Sequence, residues 1–400
     1  MKSKGIDSFV RDFVTKYLNL IIICFLLLCS LVVRYHLMKH GSSFDYVEYF
    51  DPWVKEYRKS IRLALKNGVG DYYIPYNIFL AIASLLPIPT NYSIGAISCI
   101  FDYLTCFFIY RILSENFSQV IDKTIAAIIS VAYLFIPTIV LNGATWKQCD
   151  AIYAFFLIVF LKCIIDDRIR TAFVMLGIAY SFKQQAIFVI PLLIILYFIK
   201  KNIKLVYFVY TLIVFLIAGL PAIFMGRPAI EVYSIYFSQV SEYNQMTLNY
   251  PNLYLITMMN YETLHIYALA FTVIILALTF FYIVGYMKSL SSKNVFFLAA
   301  WIVWTCCMFL PKMHQRYDYM VAILFTICIP LLKKERFVIG VVSMILFEIG
   351  NIITYSYSLF GNDYNFIFVL CCNAIAYGLF SYLLCRCLAE EKNSQLEMRN

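Results

Sequence analysis

Apolar runs long enough to cross a lipid bilayer recur from one end of this chain to the other. A span needs about 20 apolar residues at 1.5 Å each, and the stretches 18–33, 205–224 and 264–286 meet or approach that length. Of the 400 residues, 62% are apolar and only 14% charged, and the mean hydropathy is +0.79. These values exclude a water-soluble globular fold and leave no room for a separate soluble domain. The expectation is an all-α polytopic integral membrane protein with about 12 transmembrane helices (11–13), forming one domain over residues 1–400.

The formal charge of +9 is spread over short loops, where Lys and Arg act as topology signals rather than a nucleic-acid surface. Lys2, Lys4, Arg11 and Lys16 put the N-terminus in the cytoplasm. The run 18–33 is too long and too late for a cleaved signal core and becomes the first span, emerging at Arg34. The basic loops 200–204, 288–293 and 333–336 fix further cytoplasmic anchors. Spans then fall near 96–112, 125–141, 150–164, 171–183, 185–199, 205–224, 264–286, 295–310, 319–332, 337–357 and 364–385, with both termini inside. Residues 74–87, interrupted by Pro75 and Pro87, read as a dipping or re-entrant piece or as a further span. The first outer loop, 35–73, carries amphipathic helix between Pro52 and Lys66 that suits a membrane surface. The 13 Cys residues lie mostly in apolar runs and form neither a disulfide framework nor a zinc spacing.

This threading gathers the polar residues on the outer side. The first loop brings Asp45, Glu48 and Asp51 within seven residues, then Asp71 and Tyr72. A surface carboxylate in reach of a sugar hydroxyl can take its proton. Asp51 has a second reading, as N-cap of a helix opened by Pro52; Asp45, among aromatics, has no such local task. Between two spans lie Trp146, Gln148 and Asp150, where Asp150 suits either a functional site or a helix N-terminus. Lys183 and Gln185 interrupt an apolar helix pair, and a snorkelling Lys is the alternative to a phosphate ligand there. Lys312, His314, Arg316 and Tyr317 follow, an unusually basic stretch for an outer loop and well suited to an anionic head group. The loop 226–262, rich in Tyr, Asn and Gln and including Asn249 and Asn252, suits either sugar recognition or an interfacial aromatic belt.

Five ordered motifs carry a family resemblance. They are Gly-Asp-Tyr-Tyr-x-Pro-Tyr at 70–76, Asn-Gly-x-x-Trp-x-Gln-Cys-Asp at 142–150, Phe-Lys-x-Gln-Ala at 182–186, Leu-Asn-x-Pro-Asn at 248–252 and Pro-Lys-Met-His-x-Arg-Tyr at 311–317. Together, over residues 40–330, they resemble the bacterial relatives of the GPI-anchor second mannosyltransferase, within the GT-C class of membrane glycosyltransferases. The resemblance implies a polyprenyl-phosphate sugar donor, a glycan or glycolipid acceptor and an inverting transfer with Asp45 as general base. It also sets Asp150, Lys183, His314 and Arg316 around the donor phosphate or the acceptor. Lys147 stands where relatives often have Gly, and Gln315 where they commonly have Glu.

The expected activity is a multi-pass cell-membrane glycosyltransferase with its active site on the extracytoplasmic face. It needs no organic cofactor, leaves room for a divalent cation, and shows no nucleotide-binding glycine loop. A transporter or flippase of lipid-linked saccharide is the rival from another class, for which the mid-span acids Asp102 and Glu348 are the candidates. A surface-polysaccharide polymerase or ligase is the third reading.

Overall fold

The computed structural model describes residues 6–257 and 260–397. Lys2 and Lys4, part of the basic N-terminal signal, lie outside the described residues, as do positions 258 and 259 of the 226–262 loop. The chain is almost wholly helical. In order its helices are α1 (Ile6–His40), α2 (Asp51–Lys59), α3 (Ile61–Lys66), α4 (Ile74–Leu85), α5 (Thr90–Arg111), α6 (Lys123–Tyr133), α7 (Pro137–Val140), α8 (Asp150–Ile165), α9 (Ile169–Phe182), α10 (Ile190–Ile199), α11 (Phe208–Phe224), α12 (Ala229–Tyr233), α13 (Ile235–Glu242), α14 (Tyr254–Thr257), α15 (Tyr261–Tyr286), α16 (Ser292–Phe309), α17 (Tyr319–Cys328), α18 (Lys334–Phe360) and α19 (Phe366–Glu397). Two short strands, β1 (Thr247–Leu248) and β2 (Met313–His314), pair in parallel.

Among the described residues, seven helices are long and apolar enough to cross a membrane: α1, α5 with its extension to Asn116, α11 from Leu205, α15, α16, α18 and α19. The pair formed by α6 and residues 137–146, bent by 54°, makes an eighth if read as one broken span. The polytopic all-α expectation is met at this level. The remaining segments expected to span (150–164, 171–183, 185–199 and 319–332) are also helical, but of at most 16 residues, or roughly 24 Å. Residues 74–85 form a single 12-residue helix, α4, with Pro75 in its first turn.

Burial divides these helices into two groups. Helix α17 and nearly all of α16 are buried, and most of α8 is buried with them. Around this centre, α1, α11 and α15 present broad apolar faces, such as Leu278 and Phe281 on α15, to the exterior. Exposed apolar stripes of this width are explained by lipid rather than water.

Two features depart from the sequence reading. The helix of the first span does not stop at Arg34: α1 runs on to His40, and Arg34 is buried at a helix–helix contact. Nor does Asp51 cap α2. Residues 46–50 already form a wide helical turn continuous with it, so no orphan N–H awaits a cap there. Asp51 instead accepts hydrogen bonds from Thr90 Oγ1 and pairs with Lys55 at 2.6 Å.

The bend between α6 and α7 is held by charged side chains. Breaking a helix in an apolar interior leaves backbone groups unpaired unless side chains supply partners. Arg34 Nη1 donates to the Leu134 carbonyl at 2.8 Å. On the other side of the break, Glu348 accepts from the Thr138 N–H at 3.2 Å and its hydroxyl at 2.6 Å. Arg34 also pairs with Asp102 at 3.4 Å, and Asp102 accepts from the Tyr319 hydroxyl at 2.6 Å. The arm beyond this break, 137–146, leads directly into residues 147–150 of the candidate site.

Removing one partner of a buried pair strands the other, at a cost of about 3–5 kcal/mol. Arg34→Leu should therefore destabilise the protein by that amount, and Arg34→Leu with Asp102→Leu by less, as read from unfolding in detergent. A single variant as stable as the parent would refute this role.

Candidate functional site

Four segments from distant parts of the sequence meet here. The first is the turn that follows α1, with Ser43 and Asp45. The second is the wide turn 141–146, followed by Lys147 in the left-handed region (φ 62°) and by Asp150 at the start of α8. The third is the break after α9, where Lys183 is extended and a tighter helical turn begins at Gln184. The fourth is the 311–317 loop, whose strand β2 pairs with β1 in the register Thr247 to Met313 and Leu248 to His314.

Asp45 is fixed through one oxygen. Its Oδ2 accepts from Trp146 Nε1 at 3.0 Å and from Gln148 Nε2, while Gln148 Oε1 accepts from the Tyr72 hydroxyl at 3.2 Å. Arg316 lies between two carboxylates, Nη1 at 3.9 Å from Asp45 and Nε at 3.6 Å from Asp150, with its guanidinium 5.4 Å over the Trp146 ring. Asp150, fully buried, also pairs with Lys183 and accepts from Asn142 Nδ2 at 2.9 Å. The Lys183 ammonium stands 5.7 Å from the Tyr317 ring centre and 6.0 Å from that of Tyr153. Two carboxylates thus interleave with two cations, which is the arrangement that makes buried charge tolerable.

Burial works against the charge on Arg316, but Asp45 and Asp150 outweigh it and hold the guanidinium's pKa above its ordinary value. His314 behaves in the opposite sense. Burial first, then the nearby charges of Arg316 and Lys183, push its pKa well below the usual imidazole value. At neutral pH it is an uncharged ring against Tyr243 and Tyr317, at 5.4 and 5.0 Å between centroids, and contributes no positive charge.

Asp45, Lys183, His314, Arg316 and Tyr317 face a cavity of about 680 Å³. Asp71, Tyr72, Gln185 and Lys312 join them in its wall. One side is aromatic, with Trp53, Tyr180, Tyr233 and Tyr236; another is apolar, with Ile187 and Phe188 beside α10, Phe215 of α11 and Leu269 of α15. Lys312 donates to the Val240 carbonyl at 2.7 Å and lies over Tyr261, joining the 311–317 segment to the 226–262 loop.

Of the residues singled out from sequence, Trp146, Gln148 and Asp150 stand behind the cavity wall and hold those that face it. Glu48 is exposed and Asp51 is engaged by Thr90 and Lys55; neither lines the cavity. The two Asn residues of 248–252 serve the backbone. Asn249 takes a left-handed turn (φ 64°) that bridges to His314. Buried Asn252 donates to the Cys307 carbonyl and accepts from the Tyr254 N–H. Sequence reasoning missed Trp53, Tyr180, Glu242 and His265, all in the wall. Their only signal was aromatic or polar character near the ends of apolar runs. Among the described residues, no group of three or more His, Cys, Asp or Glu side chains is placed to hold a metal ion.

No protein-family model matches the chain, and no curated protein matches it significantly.

The depressed pKa of His314 has a consequence for stability. The unfolded imidazole takes up a proton near pH 6.5, whereas the folded site resists it, so stability is complete above that pH and falls as pH drops below it. Melting curves between pH 7 and 5 should show this decline, and His314→Asn should flatten it. An unchanged pH dependence in the variant would mean that the imidazole is not held neutral.

Proposed function

We propose that this protein is an integral-membrane glycosyltransferase of the GT-C kind. It moves a sugar from a polyprenyl-phosphate donor to a lipid-linked or cell-surface glycan acceptor, with inversion. The observation that carries this reading is one cavity where the carboxylate Asp45 stands beside the cations Lys183 and Arg316, with Asp71, Glu242 and Lys312 also in its wall, against an apolar side built from membrane-type helices. An amphiphile with a phosphate head, a sugar and a long hydrocarbon tail requires all three surfaces.

The reaction is a single displacement. The hydrogen bonds that hold Asp45 all fall on Oδ2, which leaves Oδ1 for the acceptor hydroxyl. As that oxygen attacks the anomeric carbon, Asp45 takes its proton. The bond from the anomeric carbon to the phosphate oxygen breaks, and the electron pair leaves with the phosphate, whose charge Arg316 and Lys183 stabilise. Neutral His314 adds a hydrogen-bonding group to the same wall, and the aromatic side offers stacking faces for sugar rings. A divalent cation, if used, would accompany the phosphate as part of the substrate.

In the membrane we place twelve crossings: the seven long helices, the bent pair α6–α7, and α8, α9, α10 and α17. α4 dips from the outer side. This arrangement puts the N- and C-termini in the cytoplasm and the site on the extracytoplasmic face of the cell membrane, with 35–73 and 226–262 as outer loops. The opposite ends of the same helices support it. There, Lys162 pairs with Glu115 and Asp166 at 2.9 Å, Lys200 with Asp167 at 2.7 Å, and Arg336 with Glu390 at 2.6 Å. Those basic ends fit the cytoplasmic side.

The transporter reading relied on Asp102 and Glu348. Both have structural work at the α6–α7 break, so the enzyme reading is favoured. A polymerase or ligase would share the chemistry and differ in the length of its acceptor.

Purified protein in lipid, given a panel of polyprenyl-phosphate sugars and acceptors, should release and transfer sugar without a membrane gradient. Asp45→Asn should cut turnover by about 10²–10⁴ with donor binding retained, and Asp51→Asn should cost far less. Arg316→Lys, which loses the planar fork, should impair donor binding and turnover together. Parent-like turnover in Asp45→Asn would remove it as the base. Sidedness is tested by thiol labelling in intact cells on a Cys-free background. Exposed Asn362→Cys should react, and Lys201→Cys only after permeabilisation; the reverse result would invert the topology.

A further inference from the structure

Lys147 is fully buried. No carboxylate lies within ion-pair reach of its ammonium among the described residues. It also holds a left-handed backbone conformation, φ 62°, that a side chain other than Gly adopts with strain. Two costs fall on one residue that does not line the cavity, so contact with substrate does not account for them.

Its contacts do. Lys147 Nζ donates to the Gly41 carbonyl at 2.7 Å and to the Thr145 carbonyl at 3.2 Å, and it stands 4.8 Å from the centre of the Tyr46 ring. Gly41 is the first residue beyond α1, so its carbonyl belongs to a helix C-terminus, where a cation is favoured. The approach is close: a Cβ at Gly41 would come within 2.8 Å of Thr145 Cγ2. Between Gly41 and Tyr46, Ser43 Oγ donates to the Trp146 carbonyl at 3.1 Å, and Asp45 is gripped by Trp146 Nε1 and Gln148 Nε2. Three consecutive residues therefore hold one short segment. Residues 146 and 148 take the carboxylate, and residue 147 takes the backbone four positions before it and the ring one position after it.

We propose that Lys147 is a positioning residue for Asp45, tying the end of α1 to the Trp146–Gln148 segment so that the carboxylate keeps its place in the cavity wall. This inference rests on the reading of Asp45 as the base. The left-handed turn follows from it, since this conformation lets Trp146 and Gln148 close on Asp45 while the side chain between them reaches Gly41.

The test uses the full-length protein in lipid nanodiscs with Lys147→Met, Lys147→Arg and Lys147→Gly. Hydrogen exchange by mass spectrometry over residues 41–46 should rise several-fold in the Met and Gly variants and remain near the parent level in the Arg variant. Turnover should fall ~10–100-fold in Met and Gly, the range expected when a reacting group shifts by about an ångström. The KM for donor should stay within about twofold, and the Arg variant should regain much of the rate. Gly also relieves the backbone strain, so it should melt no lower than Met while losing rate to the same degree, which separates positioning from stability. Parent-level exchange over 41–46 in both Met and Gly would overturn the proposal. Raised exchange with parent-like turnover in Asp45→Asn would keep the clamp and remove the catalytic reading instead.

Discussion

A helix that breaks inside an apolar environment must have its freed backbone groups satisfied by protein, and the architecture turns on how this is done between α6 and α7. Arg34 reaches across from α1 to the last carbonyl of one half, and Glu348 reaches from α18 to the first N–H of the other. Asp102 on α5 then balances Arg34 and is itself held by the hydroxyl of Tyr319 on α17. Helices α1, α5, α17 and α18 are thereby locked to one bend. Beyond the bend the chain continues as helix, widening over 141–146 before the turn at Lys147, and residues 142–148 carry the groups that grip Asp45 and Asp150.

Charge at the site is arranged in alternation rather than in opposing blocks. Asp45, Arg316, Asp150 and Lys183 follow one another, each within 4 Å of the next. With its carboxylates satisfied, the cluster retains two cations that also face the cavity. In the proposed reaction an incoming phosphate would compete with Asp45 and Asp150 for Arg316 and Lys183, loosening the hold on Asp45 from one side while Trp146 and Gln148 keep it from the other. The neutral state of His314 belongs to the same balance, because a third positive charge beside Arg316 and Lys183 would be opposed by both.

Much of this was legible in the sequence where the signal was local. Apolar length and basic loops located nearly every long helix, because a membrane imposes the same requirement on each. Asp45, Lys183 and Arg316 stood out as charges at the ends of apolar runs, and they do face one cavity. What could not be read locally was partnership. Glu348 is a mid-helix acid in α18 whose structural role was hidden, because its partner, Thr138, is 210 residues away. Arg34 follows the apolar run 18–33 and reads as its polar end, whereas its buried pairing with Asp102, 68 residues on, leaves no local mark. Asp51 looked like a cap because Pro52 signals a helix start, but the preceding residues were already helical. Lys147 was noticed only as a departure from the resembling family, since neither its backbone angle nor its reach to Gly41 leaves a mark in composition.

The two-residue pairing of β1 with β2 is small, but it links two sides of the cavity. Residues 243–249 carry Tyr243 over the cavity, and Leu248 and Asn249 are bonded to the backbone at His314, two positions before Arg316. A loop fastened in this way is not an independent lid. Its backbone is tied to the segment that leads into Arg316, so a movement of either draws on the other. The aromatic and cationic sides of the chamber are thereby joined through the backbone, and a ligand that displaced the first would pull on the second.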